Sequence, residues 1–131
     1  MATFIFKRRG DRPLQCEGEL AALFTTAKEK STRWFEARVV DLKSGRRVIA
    51  VEYHTAWNQE ENIFHAAVVE ADAVAVKAWL DSIDPQKYVV GFPPGIRDYK
   101  AKQARIEMEI ALQWDSLRTN ILSQFGPEVI A

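Results

Sequence analysis

Two neighbouring segments in the first half of the chain show the pattern of a β-hairpin. Residues 33–42 and 46–57 are rich in Val, Ile and aromatic side chains, and residues 43–45 separate them as a short loop. A three-residue loop with Gly45 in the left-handed conformation pairs Leu42 with Arg46. Residues 35, 37 and 39 then lie opposite residues 53, 51 and 49, and one face becomes apolar. A two-residue loop would mix polarity on both faces, so we predict the first register.

A second hairpin extends the same sheet. If residues 59 and 60 form its tip, Trp57 pairs with Asn62 and Tyr53 pairs with Ala66. This register predicts a third strand whose apolar residues continue the apolar face of the first hairpin.

The N-terminal segment adds further strands. Residues 3–7 predict a strand, and residues 8–13 predict the turn that follows it. Apolar residues then occupy the even positions between residues 14 and 24, which is typical of a strand. Leu20, Leu23, Phe24 and Ala27 also fit a helical stripe. The sequence therefore leaves strand and helix as alternatives between residues 19 and 27.

The second half of the chain has the apolar spacing of helices. Asp72 can cap a helix over residues 73–83, which ends before Asp84 and Pro85. A short strand is predicted over residues 87–90. A long helix is predicted over residues 98–124, with a stop at Gly126 and Pro127. One side of this helix carries an apolar stripe, which we expect to pack on the sheet: Tyr99, Ile106, Ile110, Trp114, Leu117, Ile121 and Phe125.

These patterns predict one α+β domain over residues 1–131. Its architecture is an antiparallel meander sheet of four to five strands, with a short helix and a long C-terminal helix packed on one face. The apolar share of 47% is typical of a globular chain. Cys16 is the only cysteine, so an internal disulfide is excluded. The order of charge and apolar residues at the start is wrong for a secretory signal, and no apolar run reaches the ~18 residues of a membrane span. We expect a cytoplasmic protein.

The predicted registers bring a group of polar and aromatic side chains together on the face opposite the apolar one. His54 and His65 become cross-strand neighbours with Cβ atoms about 5 Å apart. An anionic or aromatic ligand could bind there, although strand alternation alone also produces a solvated polar face. We call this group the predicted patch, and its members are Trp34, Glu36, Arg38, Glu52, His54 and His65. No spacing in it matches an established metal motif, and we predict no metal and no cofactor.

A second candidate site lies where residues 91–95 lead into the long helix. Free N–H groups, a helix N-terminus, and the basic side chains Arg97 and Lys100 could bind a phosphate. The glycines are not followed by the Lys-Ser/Thr of a P-loop, and a solvated connector is the alternative. The formal net charge of zero argues against a nucleic-acid partner.

The long helix carries a second, weaker apolar set. Exposed residues in this set would form a homodimer contact, and the alternative is that the short helix covers them within the same chain. The residues concerned are Ala104, Met108, Leu112 and Leu122.

No set of nucleophile, base and orienting group emerges from the sequence. We therefore predict a small cytoplasmic binding or interaction module, without enzymatic activity, that acts through a protein partner or a small ligand. The alternative is a small nucleotide- or phosphate-binding protein or hydrolase that uses His54, His65 and Glu52.

Overall fold

Five antiparallel strands precede two α-helices in the computed structural model, which describes residues 1–70, 72–91 and 95–126. The strands pair in chain order, so the sheet is a meander. The strands are β1 (Ala2–Phe6), β2 (Leu14–Thr25), β3 (Arg33–Leu42), β4 (Arg47–Thr55) and β5 (Ile63–Val69). The helices are α1 (Ala73–Asp81) and α2 (Tyr99–Leu122), with 3₁₀ turns at Pro85–Tyr88 and Ser123–Phe125. The predicted α+β fold class is confirmed.

The register of the first hairpin is also confirmed. Phe35 lies opposite Tyr53, and Asp41 lies opposite Arg47. Gly45 has a φ of 89°, and the amide of Leu42 donates a hydrogen bond to the carbonyl of Arg46. Only glycine adopts this conformation without strain, so the loop sequence fixes which side chains of β3 and β4 share a face.

The predicted register of the second hairpin is wrong. Tyr53 lies opposite Ile63 rather than Ala66, a shift of three positions, and Val51 lies opposite His65. An odd shift turns every side chain of β5 to the other face. The cause is the connecting loop, which runs from residue 56 to residue 62 because Glu60 folds inward instead of forming a tight tip.

β2 is a strand throughout, so the helical alternative over residues 19–27 is wrong. A bulge between Leu20 and Ala22 changes the register against β3. Leu20 lies opposite Val40, whereas Phe24 lies opposite Ala37, and these two β3 residues face opposite sides of the sheet. The even positions of β2 therefore do not all share one face. The even-numbered residues in its first half lie on one side of the sheet, and those in its second half lie on the other side.

The main core lies between the sheet and the two helices. Ile110, Leu117 and Ile121 are buried, whereas Tyr99 is only partly buried. The Asp72 side chain caps α1 by accepting a hydrogen bond from the amide of Val74, as predicted. The strand residues buried in this core are Phe35, Ala37, Ile49, Val51, Tyr53, Ile63 and Val69.

The predicted strand at residues 87–90 is wrong, because the 3₁₀ turn Pro85–Tyr88 occupies its first half and residues 89 and 90 form no strand. The turn places the ring of Tyr88 5.4 Å from the ring of Tyr53. Burial of an aromatic side chain thus takes the place of strand pairing. The predicted stop of the long helix agrees at Gly126, which has a φ of 81°, and Pro127 lies outside the described residues.

The sheet curls into a half-barrel and buries a second, smaller core on its other face. Phe6 of β1 is buried there together with small residues of β3, β4 and β5. The amide of Arg9 donates a hydrogen bond of 2.8 Å to the carbonyl of Phe64, so the chain after β1 meets β5. The buried strand residues are Val40, Val48, Ala50 and Ala66. In the described part of the chain, no helix has the length and apolar character needed to cross a membrane.

Candidate functional site

The β3–β4 hairpin positions five members of the predicted patch as expected. Trp34 lies opposite His54, and Glu36 lies opposite Glu52. Arg38 lies opposite Ala50, which is a residue of the second core. All these side chains share the face that points away from α2, because the opposite face of the same strands forms the main core.

Glu36, Glu52 and His54 form a compact group, which we call the carboxylate–imidazole cluster. His54 Nε2 lies 3.0 Å from Glu52 Oε1 and 3.2 Å from Glu36 Oε2. Arg38 Nη1 donates a hydrogen bond of 2.8 Å to Glu52 Oε2. The side chains of Glu52 and His54 are 18% and 20% exposed, so the cluster is largely shielded yet reachable from solvent.

Aromatic rings hold the imidazole on two sides. The ring of Trp34 stacks on His54 with centroids 5.4 Å apart and planes 13° apart. Phe64 of β5 meets His54 edge-on at 6.4 Å, and Lys7 Nζ lies 5.4 Å from the centre of the Phe64 ring. The sequence did not predict Phe64 and Lys7 at this site. With the correct register Phe64 lies opposite Glu52, but the approach of Lys7 depends on the curl of the sheet.

A cleft of about 190 Å³ opens beside the cluster, inside the curl. Phe6, Lys7 and Phe64 form part of its wall, and Glu52 connects it to the carboxylate–imidazole cluster. Pockets for drug-sized ligands usually span roughly 300–1,000 Å³. This cleft therefore fits a small ligand or a single side chain of a partner.

His65 lies outside the carboxylate–imidazole cluster, although it also borders the cleft, which corrects the predicted patch. It lies opposite Val51, on the face that packs towards the helices, and its Nε2 forms a hydrogen bond with the hydroxyl of Tyr88. Burial and the nearby Arg9 guanidinium lower the pKa of His65. The predicted cross-strand pair of histidines is therefore absent, and His54 is the histidine of the site.

A buried ion-pair network that the sequence analysis missed lies at the β4–β5 loop. Glu60 has a fully buried side chain, and it forms a bidentate ion pair with Arg33 and accepts a hydrogen bond of 2.6 Å from the Tyr53 hydroxyl. The amide of Val90 also points at this carboxylate, at 3.3 Å. Its oxygens are thus occupied by protein donors, so the network serves the fold rather than a ligand.

The predicted phosphate site is described only in part, because residues 92–94 lie outside the described ranges. The side chain of Arg97 is 96% exposed and lies 3.8 Å from Asp98, and Lys100 is also exposed. Asp98 has a φ of 58° and makes no side-chain cap at the start of α2. These described residues form the solvent-exposed N-terminus of α2.

The second apolar set of α2 divides into two parts. Leu122 packs against the main core, which corrects its predicted place in a homodimer contact. Met108 and Leu112 are 65% and 66% exposed, and Ala104 is exposed too, so α1 does not cover them. Leu112 also borders a groove of about 600 Å³ between α2 and the loop that joins β2 to β3.

Comparison of the chain with protein-family models, with curated proteins and with solved structures finds no match. The class of protein rests on the fold and the site: an α+β half-barrel with a shielded cluster of polar side chains on its curled sheet.

Proposed function

We propose that the protein is a small cytoplasmic binding module, without enzymatic activity of its own, that binds a small ligand on its curled sheet. The observation that carries this proposal is the carboxylate–imidazole cluster beside the cleft. The cluster lies on β3 and β4, and the opposite face of both strands packs in the main core. Groups on such rigid strands are kept in place before a ligand arrives, which reduces the entropy lost on binding.

Charge and shape restrict the ligand. Arg38 forms an ion pair with Glu52, and Lys7 lies over the Phe64 ring, so the site presents acidic and basic groups side by side. The Phe64 ring and the narrow cleft favour a small group with an apolar or aromatic part. A whole nucleotide is a poor fit to a space of about 190 Å³.

A small nucleotide- or phosphate-binding protein or hydrolase that uses His54, His65 and Glu52 stays the alternative proposal. It has less support, because His65 lies opposite Val51 and its ring bonds to Tyr88 rather than to His54 or Glu52. We therefore propose binding rather than catalysis.

The test is native mass spectrometry of the full chain as purified from cells, joined to NMR titration with a library of small aromatic and carboxylic acids. Arg38→Ala should abolish the retained mass or the NMR shifts, because it removes the cation that positions Glu52. Arg46→Ala removes an exposed arginine at the hairpin loop and is the matched control. Both variants should melt within a few degrees of the wild-type protein. Wild-type protein that retains no extra mass and responds to no library member contradicts the proposal.

A second candidate function is self-association through α2. Met108 and Leu112 lie on one side of the helix, and by the 100° step per residue Arg105 and Asp115 flank them on the same side. If two copies pair antiparallel, Met108 of one copy meets Leu112 of the other, and Arg105 meets Asp115. Apolar contact and opposite charges then act together, which favours a second copy of this chain as the partner.

Sedimentation velocity over a range of protein concentrations tests this association. Met108→Glu should shift the wild-type dimer to monomer, because it places a charge in the apolar contact. Val74→Glu changes an apolar residue of α1 that is 76% exposed, and should leave the dimer intact. A wild-type protein that stays monomeric at high concentration contradicts the candidate.

A further inference from the structure

We propose that Glu36, Glu52 and His54 bind a divalent cation of the zinc class. This inference rests on the sheet-face site proposed above and identifies its ligand. Imidazole nitrogen with carboxylate oxygen is a donor set that suits zinc and its neighbours among the transition metals. One donor atom from each of the three residues lies within 4.8 Å of the other two.

The two distances from the imidazole to the carboxylates match those around a single ion. Donors that bind zinc at about 2.0–2.2 Å are separated by roughly 3.0–3.5 Å when the angle between them is 90–110°. His54 Nε2 lies 3.0 Å from one carboxylate oxygen and 3.2 Å from the other. The donor oxygens of Glu36 and Glu52 lie within 4.8 Å of each other, so the three residues can approach one ion together.

The positions of the three residues follow from strand geometry. Glu52 and His54 are two residues apart on β4, so they share a face, and Glu36 lies directly opposite Glu52 on β3. This donor set spans two strands and is not a compact sequence motif, which explains why spacing along the chain gave no metal prediction.

The charge of the cluster favours a cation. Two carboxylates directly opposite each other on neighbouring strands repel, and Arg38 neutralises only one of them. A cation between the three donors would offset the remaining negative charge.

Neighbouring side chains orient the three donors, in the way that hydrogen-bonding side chains around a bound metal orient its ligands. Arg38 binds Glu52 Oε2 and leaves Oε1 directed at His54. Trp34 stacks on the imidazole and fixes the plane of its ring. The three donors come from one face, so the outer side stays open for water or for a ligand in the adjoining cleft.

The experiment uses the full chain, stripped of metal with a chelator and titrated with Zn²⁺ by calorimetry at pH 7.5. We expect one Zn²⁺ per chain, with affinity reduced at least tenfold in His54→Gln and in Glu36→Gln. His65→Gln removes the other histidine, on the opposite face, and should bind like the wild type. Co²⁺ should give visible absorption bands in the wild type that are lost in His54→Gln.

The outcomes separate this inference from the proposed function. Absence of Zn²⁺ binding, or equal affinity in His54→Gln and His65→Gln, overturns the metal site. If library ligands still shift the signals of Trp34 and Arg38 in that case, the binding module stands without a metal. If neither Zn²⁺ nor any library member binds, both proposals are overturned.

Discussion

At the scale of single residues, Glu60 connects three parts of the chain, because its carboxylate binds Arg33, Tyr53 and the amide of Val90. Burial alone would raise the pKa of this carboxyl, but the hydrogen bonds from Arg33 and Tyr53 outweigh burial, and its pKa lies below the ordinary value. Burial and the hydrogen bond to Glu60 raise the pKa of Tyr53. The carboxylate therefore stays ionised and the phenol stays neutral at physiological pH.

Glu60→Gln should lower the free energy of unfolding by about 3–5 kcal/mol, because it leaves the Arg33 charge buried without its partner. Urea denaturation at pH 7 measures the change. Asp41→Asn breaks a more exposed ion pair with Arg47 and should cost less than about 1 kcal/mol. Equal losses of unfolding free energy in the two variants would show that the burial of Glu60 does not increase the contribution of its ion pair.

His65 makes the stability depend on pH. Its pKa is lowered in the folded state, so between that pKa and about 6.5 the unfolded chain binds a proton that the folded chain does not. The free energy of unfolding therefore falls as the pH drops below about 6.5, and the full loss is reached below the folded pKa. His65→Gln lacks this contribution. Urea denaturation at several pH values should show the gap between wild type and variant narrowing from pH 7 to pH 5. A constant gap would contradict the assignment.

At the scale of elements, Gly18 allows β2 to approach β3 closely. A Cβ at this position would lie 2.3 Å from the carbonyl oxygen of Asp41. Gly18→Ala should therefore destabilise the protein by about 1–3 kcal/mol, because the strands must separate. Gly95→Ala adds a Cβ in open space and should have little effect. Thermal melts of the two variants test the difference, and equal melting temperatures would rule out the close approach as a constraint.

The two hairpins show what the sequence could decide. Gly45 and the apolar alternation of β3 and β4 specify one register, and with it the positions of Glu36, Glu52 and His54. In β5 apolar residues occur at both odd and even positions, so alternation cannot choose a register. The choice depends on Glu60, whose partner Arg33 is 27 residues away along the chain. The fold class and most of the site were thus predictable, whereas the place of His65 was not.

At the scale of the whole molecule, one sheet supports two cores. Neighbouring residues of β3 alternate between them: Val39 faces the helices, and Val40 faces the second core. Each core therefore depends on strands that the other core holds in place. We expect the chain to unfold as one cooperative unit.

Phe6→Ala tests this coupling. It should lower the free energy of unfolding by about 3–5 kcal/mol, since it empties the centre of the second core. Tryptophan fluorescence and far-UV circular dichroism should still report a single transition in urea. Ile5→Ala removes a side chain that is 66% exposed on the same strand and should cost less than about 0.5 kcal/mol. Two separate transitions in Phe6→Ala would show that the cores unfold independently.

We expect the curl of the sheet also to protect the protein from aggregation. A flat sheet of five strands would present two open edges, and each open edge can recruit a strand from another molecule. Here the amide of Arg9, three residues after β1, donates a hydrogen bond to the carbonyl of Phe64, so one backbone group at the edge of β5 is satisfied. Ile5 and Val68 are exposed on the two outer strands. We expect the half-barrel to limit polymerisation through these apolar strands.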